Sequence, residues 1–483
     1  MSPASRATVA LALMIGFYVL AIGSGVGLLA IAWFAVTMKS AATAKLAFLS
    51  AVAGGTVLLS LRPRRDKFEP PGPRLLKEAQ PDLFAVIEDV ARAANQEMPV
   101  EVYAIPDVNA WVSTRGGVLG VGGRRVMGLG IPLLHLLTVD QLKAVLAHEF
   151  GHYGGGDTRV GRLVYHTRLG LGRTLEAVDG KAVAALFNVY GKLVMRVSSA
   201  VARHQEFAAD AFAARATSGR DLADSLQKLD RHGALFPLFL ASNMQPVIEE
   251  GYWAPIGTGF SAFCAAPIFN NVTAEPAASA DGEEIVASDT TYDSHPPTDT
   301  RVAALAALGE APARVGDGRV AGALLRQSNQ IEFELYKPRP STVATLTYVP
   351  WEDVTFKVLV PRWQRIARER ADILKQVRVE SPPTSSKDII QLGRSAGGQK
   401  MRMMDQSEVM YQVIFAIACG VTTRLMERGW TPIASPSLFC DFVRGEERID
   451  PMRRIAEIGH GAVPVDEWAA FCAKEKLSGP LAV

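Results

Sequence analysis

From Ala7 to Met38 the chain carries no charged side chain. The run is rich in Leu, Ile, Val, Ala and Gly, and it exceeds the roughly 20 residues an α-helix needs to cross a bilayer. A second apolar run, Leu46 to Leu61, follows a short loop carrying Lys39 and Lys45. It lies near the lower length limit for a span, and Lys45 can reach back to the interface along its methylene stem. A cleaved signal peptide fits poorly, because the first run is too long for a signal core and another apolar run follows at once. A buried or re-entrant helix is the alternative for the second run alone. Residues 1–65 are therefore expected to form a hairpin of two membrane-crossing helices, at about 7–38 and 46–61, in a multi-pass protein of the cell (inner) membrane. After Leu61 come Arg62, Arg64, Arg65, Lys67, Arg74 and Lys77, against two lysines in the loop. That excess predicts that the N-terminus and the domain after the hairpin lie in the cytoplasm.

The remaining chain is long enough for two further domains within a total of 483 residues. A hydrophobic content of 48% and a charged content of 21% suit a folded core. The net charge of +2 gives no basis for nucleic-acid binding, which needs a concentrated basic surface. Cys264, Cys419, Cys440 and Cys472 form no C-x-x-C pair, which argues against a thiolate metal site and fits a reducing compartment. Beyond the linker at Pro70, Pro71 and Pro73, Leu83, Val86, Ile87 and Val90 fall at helical spacing and predict a helix near Pro81 to Glu97. Between Val100 and Ile131, short apolar runs broken by Gly116, Gly117, Gly122 and Gly123 predict a small antiparallel sheet. The fold class reads as α+β, mostly helical. An Ala-, Ser- and Pro-rich acidic stretch from Ala274 to Thr290 predicts a loop. Lys337-Pro338-Arg339-Pro340 predicts a boundary between a domain at 75–336 and a mostly helical region at 341–483. In that last region Trp363, Ile366, Ala367, Ile373, Leu374 and Val377 alternate with arginines, a pattern expected of a packed helix and, secondarily, of a membrane-surface helix.

The segment Thr138 to Gly156 carries the chemistry. Thr138 and Gln141 form a capping-box pattern at a helix start. Leu142, Val145, Leu146 and Phe150 supply an apolar face, and Gly154, Gly155 and Gly156 end the helix. Within it lies His148-Glu149-Phe150-Gly151-His152. Residues four apart share a helix face, so His148 and His152 can aim two imidazoles at one ion, with Glu149 beside it to take a proton from water. Zinc in such sites keeps one position open and lowers the pKa of its water. A third ligand is needed, and Glu206 in Glu206-Phe207-Ala208-Ala209-Asp210 is the best candidate. Asp210, one turn on, can accept the remaining N–H of a metal-bound histidine. His204 is a weaker competitor, because it lies on another side of the same helix.

These residues resemble the HtpX-like and CAAX prenyl endopeptidase family of membrane zinc proteases, which are gluzincins. Asn109-Ala110-Trp111 resembles that family's Asn-Ala-aromatic strand, and His295-Pro296-Pro297 with Arg301 resembles its His-Pro motif and following Arg. The resemblance covers roughly residues 80–330 and implies a zincin-like domain with one zinc ion. It implies His148, His152 and Glu206 as ligands, Glu149 as general base and then acid, and Asp210 behind the ligands. It implies that His295 donates to the oxyanion, that Arg301 braces its loop or binds substrate, and that Asn109 to Thr114 pairs with an extended peptide. Many relatives carry further membrane helices after the histidine motif. Here the charges between Arg159 and Arg203 predict helices outside the bilayer, which sets the chain apart from a CAAX-processing enzyme. The expected partners are a peptide or protein substrate, membrane-associated by analogy, and the bilayer itself. Two other readings stay open: a membrane-tethered scaffold with a structural zinc, and a latent protease covered by the acidic loop.

Overall fold

The structure is a computed structural model of the chain and describes residues 3–38, 40–61, 68–115, 123–154, 181–266, 296–309, 316–337, 346–434 and 440–482. The chain divides into two compact units, one of residues 1–233 with 273–335 and one of residues 234–272 with 336–483. The acidic stretch 274–290 and His295 lie outside the described residues.

The first unit opens with α1 (Pro3–Thr37) and α2 (Ala41–Ser60), which pack against each other. Ile15–Thr37 and Thr43–Ser60 are long and apolar enough to cross a membrane, and only 22% of each is buried inside the protein. Trp33 is 77% exposed and Phe48 is 68% exposed. Large apolar side chains turned outward along both helices suit lipid, because a water-facing helix carries its polar residues there.

Four strands follow, β1 (Arg74–Leu75), β2 (Glu101–Ile105), β3 (Ala110–Arg115) and β4 (Arg124–Gly130), in the order β1-β2-β4-β3. The sheet was expected to be antiparallel throughout, but it is mixed: β2 and β4 run parallel, while β1–β2 and β3–β4 are antiparallel. Burial explains the order. Val126, Met127 and Leu129 of β4 are at most 1% exposed and take the centre. The more polar β3, with Ser113, Thr114 and Arg115, takes the edge. Leu75, Val102, Met127, Leu129 and Ala110 belong to the main core, on the face packed by helices. Glu101, Tyr103, Trp111, Ser113, Arg115 and Arg124 lie on the opposite face by alternation.

Helix α3 (Pro81–Ala93) buries Leu83, Val86, Ile87 and Val90, the positions its spacing marked. After α4 (Ile131–Leu136), helix α5 (Val139–Gly154) starts on a reciprocal capping box. The Thr138 N–H donates to Gln141 Oε1 at 3.0 Å, and the Gln141 N–H donates to Thr138 Oγ1 at 3.2 Å. Leu142, Leu146 and Phe150 are fully buried in the core beneath the sheet.

Helix α6 (Lys181–Ala216) has 36 residues, so it is about 54 Å long. Its C-terminal half packs across α5 and its other half against α1. There the Tyr190 hydroxyl donates to the Leu13 carbonyl, and the ring packs among Phe17, Ala21 and Val57. Of the stretch 159–203 expected to form helices outside the bilayer, residues 159–180 are not described. The described part runs beside α1 near the start of its apolar window. Helix α7 (Gly219–Gly233) completes this side.

The second unit is helical around its own core. Helix Gln406–Glu427 is also apolar enough to cross a membrane, but 67% of it is buried inside the unit. Trp363 and Ala367 are buried in the same core, and Arg362 pairs with Glu249 at 2.8 Å and with Glu250 at 3.0 Å. This is a packed helix with paired charges rather than a membrane-surface helix.

Candidate metal centre

Two helices build the site. α5 presents His148 and His152 one turn apart, and α6 crosses it with Glu206 and Asp210 one turn apart. The crossing is close because position 151 is glycine. A Cβ there would stand 3.1 Å from the Ala209 Cα and 3.2 Å from the Ala209 carbonyl oxygen, so the backbone of α6 occupies the space a side chain would take. This role of Gly151 carries no signal in the sequence beyond the glycine itself.

His148 Nε2 lies 3.2 Å from His152 Nε2 and 3.5 Å from Glu206 Oε2, and His152 Nε2 lies 3.7 Å from Glu206 Oε1. Donors bonded at about 2.1 Å around a tetrahedral ion sit ~3.4 Å apart, so these separations fit one metal ion. Among the described residues these three make up the metal-capable group. His204 is exposed on α6 and stands outside it. Glu149 is half-buried beside the group, within reach of solvent.

Behind the donors lies a buried charge network. His148 Nδ1 is 2.9 Å from Asp210 Oδ1, which leaves Nε2 for the site. The Arg301 guanidinium grips Asp210 with both arms of its fork, Nε to Oδ2 at 2.8 Å and Nη2 to Oδ1 at 2.6 Å. Its Nη1 lies 3.5 Å from Glu206 Oε2. Arg301 sits on helix Thr298–Ala307, so a third element joins the site. Its side chain meets the two helices that carry the group, a contact the sequence reading, which had it brace the His295 loop or bind substrate, did not include. Nothing in a separation of 91 positions from Asp210 marks that contact in advance.

The charges set each other's protonation. Burial opposes the cationic form of His148, but Asp210, Glu206 and Glu149 outweigh it and hold the imidazole proton up to about 9. Burial likewise opposes the Asp210 carboxylate, while hydrogen bonds from Arg301 and His148 hold its pKa below the ordinary value. Three carboxylates against one fixed cation make a pocket that favours positive charge.

Strand β3 runs along the core face that also packs α5, at the edge of the sheet among the described residues. Asn109 Oδ1 accepts from the Ala110 N–H at 2.9 Å, and its carbonyl accepts from the Gly130 N–H at 2.8 Å, which fastens the start of β3 to the end of β4. Ala110 is buried in the core. Trp111 lies on the opposite face, flat over Gly128, where a Cβ would stand 2.4 Å from its ring. Its ring therefore turns away from α5 and stiffens the strand.

A histidine pair from one helix and a glutamate from a crossing helix form a group that could hold a metal ion, with Glu149 next in sequence to His148. Residues 77–308 match the model of peptidase family M48, just under half of the chain. The chain is 29% identical over 171 residues to Protease HtpX of Vibrio cholerae, which covers 30% of this chain and 57% of that protein. It is 27% identical over 177 residues to Protease HtpX of Stenotrophomonas maltophilia, covering 31% of this chain and 59% of that one. A Protease HtpX homolog of Pyrococcus abyssi is 35% identical over 86 residues, covering 17% of this chain and 28% of the homolog. The chain thus spans under two thirds of the length of these relatives. No solved structure matches.

Proposed function

We propose that this chain is a membrane-anchored, zinc-dependent endopeptidase, with the ion held by His148, His152 and Glu206. The convergence of these three donors from α5 and α6, within 4.8 Å of one another, carries the reading. A set of three leaves a position for water or substrate, as in catalytic zinc sites, whereas structural sites are closed by four protein ligands. Two imidazoles and one carboxylate suit zinc among the divalent ions. An ion held by these residues would supply Lewis acidity to the scissile carbonyl and to the attacking water. Glu149 takes the proton of that water and delivers it to the leaving amine. Asp210 fixes the ring of His148 through Nδ1, and Arg301 keeps Asp210 ionised and oriented. His295 donates to the oxyanion, and the backbone of β3 receives the substrate as an added strand. The basic residues that follow the hairpin support a catalytic unit on the cytoplasmic side, acting on proteins at or near the bilayer, as in membrane-protein quality control.

The test is metal analysis and casein proteolysis of the purified full chain, with a Glu149→Gln variant and a chelator-treated sample alongside. Zinc is expected in both wild type and Glu149→Gln, and hydrolysis in untreated wild type only. A Glu149→Gln protein that keeps its metal and cleaves at the wild-type rate refutes the mechanism.

A further inference from the structure

The outer face of the sheet carries charges that the metal site does not use. Arg115 and Arg124 are direct partners across the antiparallel β3–β4 pair, so they project from the same face. Arg115 lies 4.6 Å over the Phe68 ring and 2.7 Å from Glu101 Oε2. The Tyr103 hydroxyl donates to that same oxygen at 2.9 Å. Glu101 is therefore already engaged, while Arg124 is exposed and has no acidic side chain within ion-pair distance among the described residues. Arg74, exposed on β1, adds to this face and spends its guanidinium on the neutral Val100 carbonyl. Glu101 offsets the charge of Arg115, and Arg124 directly opposite it has no such neighbour, so a further anion lying against Arg124 would relieve the like-charge pair.

The position of Phe68 says where that anion comes from. Six residues separate it from Leu61, the last residue described at the end of α2, so seven Cα-to-Cα steps, at most ~24 Å of chain, join this face to the membrane hairpin. Those residues include Arg62, Arg64, Arg65 and Lys67. Arg74 on β1 and Arg115 on β3 also stand three strand spacings apart across the sheet, about 14 Å, on either side of the buried Tyr103 and Val126, a spread wider than one extended peptide. The geometry points to a docking surface for anionic phospholipid headgroups, made of Arg74, Arg115 and Arg124, which holds the substrate-receiving edge of β3 at the bilayer surface. This rests on the membrane attachment proposed above. A segment leaving the bilayer then meets β3 without first being drawn away from the membrane.

The experiment places the full Glu149→Gln chain in phosphatidylcholine nanodiscs and in nanodiscs with about a third phosphatidylglycerol, and follows amide hydrogen exchange. Exchange in Ala110–Arg115 and Arg124–Gly130 is expected to slow severalfold with the anionic lipid. High salt and Arg124→Gln should each abolish the slowing, whereas Arg92→Gln, an exposed arginine on α3, should leave it intact. Equal exchange in the two lipids overturns the proposal. So does protection by an acidic peptide in neutral discs without protection by phosphatidylglycerol, which would make Arg115 a substrate subsite. A chain that does not co-elute with the discs overturns the membrane reading itself, and that outcome is visible separately from the exchange.

Discussion

Asp210 is the residue on which the metal centre turns, because His148 and Arg301 both spend their best hydrogen bonds on it. Asp210→Asn removes the charge and one of the acceptors. It is expected to weaken metal binding about 10- to 100-fold in a chelator competition, with Arg301→Lys weaker than wild type but less affected. Unchanged affinity in both would mean that the network has no part in holding the ligands. His135 offers a second test at this scale. It is 9% exposed, lies flat on Gly322, and its Nε2 stands 3.7 Å from Glu332 Oε1, beyond hydrogen-bonding reach. Burial therefore lowers its pKa to about 4. As pH falls the unfolded chain takes the proton first, near 6.5. Stability present above that pH is then lost between about 6.5 and 4, by up to ~3 kcal/mol. Pulse proteolysis of the detergent-solubilised chain at pH 7 and pH 5 should show that loss, and His135→Gln should flatten it. A slope unaffected by the substitution would place the titration elsewhere. The convergence of His148 and His152 was legible because helical spacing puts both on one face of α5, whereas the approach of Glu206 from α6 is made by the crossing of two helices. Arg301 was only half legible: its motif marked it, but its contact with Asp210 is made by tertiary packing alone.

At the scale of elements, the donors meet only because α5 and α6 approach to backbone contact at Gly151. Gly151→Ala presses on atoms 3.1 Å away and asks the helices to give by a few tenths of an ångström. Gly151→Val, with two further carbons against Ala209, is expected to part them and abolish stoichiometric metal binding while α5 stays helical. Retained metal in Gly151→Val would show that the crossing tolerates separation. The other end of α6 rests on α1 through Tyr190 and Phe17, so the hairpin buttresses the helix that carries Glu206. A fragment lacking residues 1–65 is expected to bind metal more weakly than the full chain when both are measured in the same detergent. The start of α5 was readable from Thr138 and Gln141, and the hairpin from its missing charges. The parallel pairing of β2 with β4 was not, because strand order is decided by which strand the helices bury, and local patterning does not report it.

For the whole molecule, the Pro-rich break at Lys337–Pro340 marks only one passage between the two units. The chain also leaves the first unit at Ala234 and returns at Thr273, and no comparable punctuation announces the excursion. Residues 234–272 find their partners a hundred positions later. Trp351 lies over Gly259 and donates to the Pro255 carbonyl at 2.7 Å, Val247 and Ala254 pack with Val349, Val354 and Val358, and Arg362 and Arg365 pair with Glu250. Such long-range pairing leaves no periodic trace in the sequence, whereas the burial of Trp363 was legible from helical spacing. The consequence is a sharp cost for truncation. A chain ending at Lys337 keeps every metal ligand but strips the cover from Phe239, Val247 and Ala254, each fully buried in the intact protein. It is expected to bind metal yet to be cut by chymotrypsin after the aromatic residues between Leu235 and Phe263, which the full chain protects. Supplying residues 341–483 as a separate polypeptide should restore part of the protection. If the truncated chain resists chymotrypsin as the full chain does, residues 234–272 fold without the C-terminal segment, and the second unit is not one cooperative body.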